Sequence, residues 1–250
     1  MALPDKDLII FDLDGTLTPA KSTMHTDMGG LIARLLTQKK VAVISGGTYT
    51  QFQTEFLASL GSGVDGFANL FLLPTSGTRL FIWKGTWTEQ YAENLSPDEK
   101  RSIMNAFKAA LSTAGYVEPA KAYGPIIEDR GSQITFSALG QAAPLKEKIQ
   151  WDPKHEKRGA IADILKDKIP QFDVRIGGTT SIDITRRGVN KAYGIHKLEQ
   201  FLKIPIDRML FIGDALFYGG NDYPAKTTGV DCISVNGPDE TKKLIDGWVG

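Results

Sequence analysis

Two aspartates, Asp12 and Asp14, stand one residue apart directly after the apolar run Leu8-Ile9-Ile10-Phe11 and before Gly15. The run has the pattern of a strand buried on both faces, and Gly15 is where the chain turns. Ligands of an open α/β sheet bind outside the carboxyl ends of its strands, so both carboxylates are expected at that edge. Paired acids there suit a hard cation such as Mg2+, held by oxygen and shared with a substrate phosphate. They also divide labour, one carboxylate attacking phosphorus while the other moves protons. Taken alone, the pair also reads as turn-forming or helix-capping residues. A calcium loop does not fit, because a third acid or amide before the glycine and a distal glutamate are both missing.

Three further stations carry compatible chemistry. Ser45 closes a second apolar run from Val41 and precedes Gly46-Gly47. A hydroxyl followed by glycines, with the backbone N–H of Gly46 exposed, suits a phosphate oxygen, although a strand-ending serine is also an ordinary turn residue. Lys191 follows Asn190 at the expected start of a helix, where an ammonium and the helix N-terminus hold an anion together. Asp214 ends Leu210-Phe211-Ile212-Gly213, a second apolar strand closed by an acid, and Gly219-Gly220-Asn221-Asp222 follows. Asp12, the backbone carbonyl of Asp14 and Asp214 would give Mg2+ three ligands, with Asp222 orienting a metal-bound water.

The elements that must position these groups alternate at both ends of the chain. Helical stretches near Thr26–Gln38 and Thr50–Leu60 follow the first two strands. Phe71–Leu73 and Arg79–Trp83 read as short strands around a Pro74–Gly77 turn. Asn190 caps a helix to about Leu202, and Met209–Ile212 and Cys232–Val235 are later strands. Such alternation predicts an α/β fold with a doubly wound parallel sheet. The middle differs. Ser96-Pro97-Asp98-Glu99 is a capping box opening a helix to about Ala114, and a second helix runs from Asp152-Pro153 to Lys168. Ile126–Glu128, Gln133–Ser137, Asp173–Ile176 and Ser181–Thr185 read as strands joined by turns. This predicts an α+β domain inserted at residues 85–187 into a core made of residues 1–84 and 188–250, with junctions at Lys84-Gly85 and Arg187-Gly188.

Lys plus Arg and Asp plus Glu each total 29, so the chain is formally neutral. That argues against nucleic acid or an anionic membrane as partner, because both draw on a basic surface. No apolar run approaches the roughly 20 residues of a spanning helix, and the N-terminus lacks a signal-peptide layout. With one cysteine, Cys232, there is no internal disulfide. A cytoplasmic location is the expectation.

The four stations in this order resemble the haloacid dehalogenase superfamily of phosphotransferases, and the inserted strand–helix mixture resembles its type IIB cap. Residues 11–19, Gly177-Gly178-Thr179-Thr180-Ser181-Ile182-Asp183 and Gly213–Asp222 narrow the likeness to eukaryotic-type phosphomannomutases. The resemblance implies that Asp12 is the phosphorylated nucleophile and Asp14 the general acid/base. Ser45, Gly46 and Lys191 would hold phosphate, and Asp12, Asp14, Asp214 and Asp222 would serve Mg2+. It further implies substrate contacts from Arg130, Ser181 and Asp183, and a homodimer through the cap. Family arginines for a distal phosphate are replaced, by position, with Lys21, Gln141 and Lys148. Lysine loses the planar fork, and glutamine loses the charge as well. The leading expectation is therefore a Mg2+-dependent phosphatase of a sugar phosphate or similar small phosphometabolite. A phosphohexomutase with the same aspartyl-phosphate chemistry is the second reading, and a non-catalytic sugar-phosphate sensor the third.

Overall fold

A computed structural model of the chain describes residues 2–19, 22–61 and 63–250. Eleven strands occur among these residues: β1 (Leu8–Asp12), β2 (Lys40–Ile44), β3 (Leu70–Leu73), β4 (Arg79–Trp83), β5 (Trp87–Ala92), β6 (Ile127–Asp129), β7 (Gln133–Ser137), β8 (Phe172–Gly177), β9 (Ser181–Arg186), β10 (Met209–Gly213) and β11 (Asp231–Ser234). They form two sheets, and the chain divides into two compact units, residues 1–92 with 189–250, and residues 93–188.

The first unit is built on a seven-stranded sheet of order β11-β10-β1-β2-β3-β4-β5. The strands from β11 to β3 pair in parallel, and β4 and β5 add an antiparallel edge. Alternate residues of one strand supply two separate cores. Ile9, Phe11, Val41 and Val43 pack with the helices Thr26–Leu36 and Pro238–Val249, whereas Leu8, Ile10, Ala42 and Ile44 pack with Lys191–Leu202. Burial on both faces explains why these strands read as unbroken apolar runs rather than as alternations.

The expected junction at residue 85 falls inside this unit. Gly85 (φ +82°) sits in the turn of the β4–β5 hairpin, where Lys84 N donates to Thr86 O at 2.9 Å. Trp83 lies opposite Trp87 in that hairpin, so residues 87–92 belong to the first sheet. A Lys-Gly-Thr turn between two aromatic-rich runs is itself a hairpin signal.

The second unit is a four-stranded antiparallel sheet, β6-β7-β9-β8, backed by the helices Pro97–Thr113 and Glu156–Lys168. Ile134, Phe136, Ile182 and Ile184 face those helices, while the intervening residues of β7 and β9 are polar. The capping box stands as expected, with Ser96 Oγ accepting from Glu99 N at 3.2 Å and Glu99 Oε2 accepting from Ser96 N at 2.6 Å. The second helix begins at Glu156 rather than at Pro153, because the Asp152 carboxylate reaches forward to accept from Lys157 N and Arg158 N, both at 3.1 Å. A short helix, Leu145–Trp151, precedes it and had no distinct signal. Among the described residues, no helix is long and apolar enough to cross a membrane.

Glu99 also holds the sheet to the first helix of this unit. Arg186, the last residue of β9, grips it with two bonds of 2.8 and 2.7 Å. That bidentate contact, with help from the Ser96 backbone N–H, lowers the Glu99 carboxyl from 4.5 to about 2. A depressed acid stabilises the fold above its unfolded pKa and loses that contribution as pH falls through its folded value. Glu99→Gln should therefore lower unfolding stability by about 1 kcal/mol at neutral pH, after allowance for solvent screening. Urea unfolding at descending pH should show the gap between variant and parent closing as the pH approaches about 2. A gap independent of pH would disprove the role given to the pair.

Candidate active site

β1 and β10 lie side by side in parallel with Phe11 opposite Ile212, so Asp12 and the residue after Gly213 emerge at the same edge. Asp12 ends its strand beside Ile44 of β2. The next residues fold back tightly, with the Leu13 carbonyl accepting from the N–H groups of Thr16, Leu17 and Thr18 and Gly15 N donating to Thr18 O. Gly15 is required twice over: its φ is +87°, and a Cβ there would stand 2.5 Å from Asp214 Oδ2.

Lys191, buried at the start of its helix, donates to Asp12 Oδ1 and, at 2.7 Å, to the Ile44 carbonyl. Asn190 caps that helix, accepting from Tyr193 N at 3.1 Å. Lys191 Nζ also lies 3.2 Å from Asp222 Oδ1. Asp222 is itself fully buried, and its Oδ2 accepts from Ala215 N at 3.1 Å, which closes the glycine-rich loop after β10. Ser45 Oγ accepts from Gly47 N at 3.0 Å, leaving its proton to point toward Asp14 Oδ2 at 3.5 Å. Gly46 stands between them, as the chain leaves β2.

Asp12, Asp214 and Asp222 each offer a carboxylate oxygen within 4.8 Å of the others, a group suited to a metal ion. Three carboxylates face one ammonium here. Burial, and then the neighbouring acids, pushes the Asp12 carboxyl well above the usual range against the pull of Lys191. Asp214 rises for the same two reasons. Lys191 is drawn down by burial but pushed up further by Asp12 and Asp222. Asp12 Oδ2 is buried with no hydrogen-bond partner. An orphaned, buried carboxylate oxygen among surplus acids fits a divalent cation, which would satisfy the lone pairs and offset the repulsion. The carboxylate of Asp14 is outside this trio.

The residues expected to recognise substrate lie mostly in the second unit. Asp183, Thr135 and Glu128 stand opposite one another on adjacent strands, and Ser181 stands opposite Ser137. Ser181 and Ser137 share a hydrogen bond of 3.2 Å, Gln141 Nε2 donates to Ser137 Oγ at 2.7 Å, and Lys148 Nζ donates to the Gln141 carbonyl at 2.6 Å. Arg130 donates to Glu128 at 2.7 Å. Ser181, Gln141 and Lys148 are thus joined through Ser137, while Asp183 stands in the neighbouring row opposite Thr135 and Arg130 bonds to Glu128 of that row. Lys21 lies outside the described residues. Sequence reasoning did not single out Glu128, Thr135 or the buried Asp152–Arg158 pair. The signal was present in Gln133-Ile134-Thr135-Phe136-Ser137, whose polar residues recur at every second position.

Known proteins resemble this chain in sequence and in fold. A family model described as eukaryotic phosphomannomutase matches residues 29–248. The phosphomannomutase of Saccharomyces cerevisiae is 28% identical over 248 residues, covering 95% of this chain and 92% of its own. Among solved structures, the IMP-bound IMP-nucleotidase of Plasmodium falciparum superposes with TM-score 0.73 at 19% identity, over 98% of this chain and 66% of that one. A haloacid dehalogenase-like hydrolase from Bacteroides thetaiotaomicron gives TM-score 0.66 at 15% identity, over 97% and 99% of the two chains. At these identities the structural likeness establishes the fold, that of the haloacid dehalogenase-like hydrolases.

The carboxylate trio generates a direct test. Saturating Mg2+ or Mn2+ should raise Tm by about 5 °C or more, as expected for a ligand well above its Kd acting on a chain of this size. Asp214→Asn should remove most of that shift without preventing folding. Identical melting curves with cation and with chelator would rule out a metal at these residues.

Proposed function

The chain belongs to the eukaryotic phosphomannomutase family, a family of enzymes that move phosphoryl groups, and from that premise we propose that it is a Mg2+-dependent phosphatase of a sugar phosphate. The observation that carries the aspartyl-phosphate chemistry of this reading is the Asp12 carboxylate, held through Oδ1 by Lys191 while Oδ2 is buried with no hydrogen-bond partner. A carboxylate anchored by a buried lysine at the end of a strand is positioned to attack phosphorus.

In the first half-reaction an Asp12 oxygen bonds to phosphorus, the phosphorus–oxygen bond to the sugar breaks, and Asp14 delivers a proton to the departing oxygen. In the second half-reaction Asp14 takes a proton from water, whose oxygen attacks the aspartyl phosphate. The Asp12 carboxylate is restored and inorganic phosphate leaves. Lys191, the Ser45 hydroxyl and the backbone at Gly46 offset charge on the phosphoryl oxygens, where electrostatic contributions are usually largest. Bound at Asp12, Asp14, Asp214 and Asp222, Mg2+ would supply further charge neutralisation at the same oxygens.

Hydrolysis is favoured over isomerisation by what occupies the distal-phosphate positions. The Gln141 amide bonds to Ser137, and the Lys148 ammonium bonds to the Gln141 carbonyl. Neither position offers the planar two-point fork that arginine brings to a phosphate. Arg186 and Arg187 do not substitute for it, since Arg186 grips Glu99 and Arg187 donates to the Pro170 carbonyl. Each missing charge-assisted bond weakens a bisphosphate by about tenfold or more. A loosely held bisphosphate departs before it can turn round, and the phosphoenzyme is left to water. The family itself favours the mutase reading, with Arg130 as its anchor, so the two reactions must be separated by measurement.

Asp12→Asn should cut turnover to below about one hundredth while the fold survives, because an amide is not a competent nucleophile toward phosphorus. Activity above that level would exclude the covalent route. A phosphorus NMR time course on mannose 1-phosphate, run with a hexose 1,6-bisphosphate activator, should show inorganic phosphate accumulating faster than mannose 6-phosphate. Stoichiometric mannose 6-phosphate with little free phosphate would establish the mutase and end the phosphatase reading.

A further inference from the structure

The polar face of the second sheet contains a relay with a fixed direction. Gln133 Nε2 donates to Thr135 Oγ1 at 2.9 Å, and Thr135 Oγ1 lies 2.7 Å from Asp183 Oδ1. A threonine hydroxyl has one proton, and an ionised carboxylate can only accept. The amide N–H fills one hydroxyl lone pair, so the hydroxyl proton must go to Asp183. Thr135 and Asp183 are directly opposite in the β7–β9 register, and Gly177 lies on the other side of the carboxylate. A Cβ on Gly177 would stand 3.0 Å from Asp183 Oδ2. The turn carrying Gly177 is itself pinned, because fully buried Arg158 donates to the carbonyls of Gly177 and Gly178 at 3.2 and 2.7 Å. Arg158 is held in turn by Asp152 at 2.9 Å. Oδ1 is thereby engaged from one side, and the glycine leaves room at Oδ2.

We propose that Thr135 is a positioning residue for substrate recognition, fixing the Asp183 carboxylate so that Oδ2 is presented to a hydroxyl of the sugar. This rests on the reading above, in which a sugar phosphate is the substrate and Asp183 touches it. Valine keeps the β-branched shape of threonine but lacks the hydroxyl, so it removes the bond to Asp183. An unfixed carboxylate must instead lose its rotamer freedom on binding, which weakens the ground state and the transition state alike. The signature is a change in KM with little change in kcat.

The test compares the parent with Thr135→Val, Thr135→Ser and Gly177→Ala on two substrates. Mannose 1-phosphate carries hydroxyls, whereas p-nitrophenyl phosphate has none on its leaving group. Thr135→Val should raise KM for mannose 1-phosphate by about tenfold and leave kcat within about twofold. Both constants for p-nitrophenyl phosphate should stay near parental values, and Thr135→Ser should restore the sugar-phosphate KM. Gly177→Ala should reproduce the KM rise by displacing the same carboxylate. An unchanged KM in Thr135→Val, or equal losses on both substrates, would overturn the inference while leaving the phosphatase reading intact. A parent protein that does not turn over mannose 1-phosphate would remove this inference, and one that turns over neither substrate would remove the phosphatase reading as well.

Discussion

Three buried or half-buried carboxylates against one buried ammonium form the constraint around which the first unit is organised. Ionised acids at such distances repel strongly once water is excluded, and removing one partner from a buried pair typically costs about 3–5 kcal/mol. Lys191 can neutralise one charge. The surplus of negative charge makes the cluster suited to a divalent cation. The supporting structure follows from this need. Lys191 must reach the sheet edge from a capped helix, Asp222 must be brought back by a glycine-rich loop, and Gly15 must leave space for Asp214.

The parallel sheet is the device that makes such a cluster foldable. β1 and β10 are distant in sequence but adjacent in space, and their apolar residues are buried on both faces. That burial anchors the strands so firmly that their final residues can carry charges without fraying. The second unit solves a different problem. Its sheet buries one face against two helices and keeps hydroxyls, amides and charged groups on the other, so hydrogen-bond direction rather than charge density sets the chemistry there. Gln141 donates to Ser137 at the end of β7, and Lys148 donates to the Gln141 carbonyl.

Family membership and active-site chemistry point to one enzyme class but leave two outcomes for the phosphoenzyme. The partition depends on whether a released bisphosphate is held long enough to reorient, which is a matter of grip. In the proposed mechanism Asp12, Lys191 and the neighbouring acids serve both outcomes alike. The residues proposed to separate them, Gln141, Lys148 and Arg130, lie in the second unit.

Much of the core was legible in the sequence because its signals are local. An apolar run that ends in an acid marks a buried strand at a sheet edge, and this holds for Asp12 and Asp214 whatever their neighbours do. The capping box at Ser96 and the cap at Asn190 are likewise complete within four residues. What the sequence could not decide depended on pairing across long separations. Trp87–Ala92 joined the first sheet because Trp83 found Trp87 across a glycine turn, moving the junction from residue 85 to residue 93. The helix expected at Pro153 began at Glu156 because the Asp152 carboxylate preferred the backbone and side chain of Arg158. Asp222 became a member of the carboxylate trio rather than a more distant orienting group, since the loop folds it back to Lys191. Composition and spacing determined which candidate residues stand at which strand ends. Tertiary structure alone decided which of them share a hydrogen bond or a charge, because those energies fall off within a few ångströms and register across the sheet sets those distances.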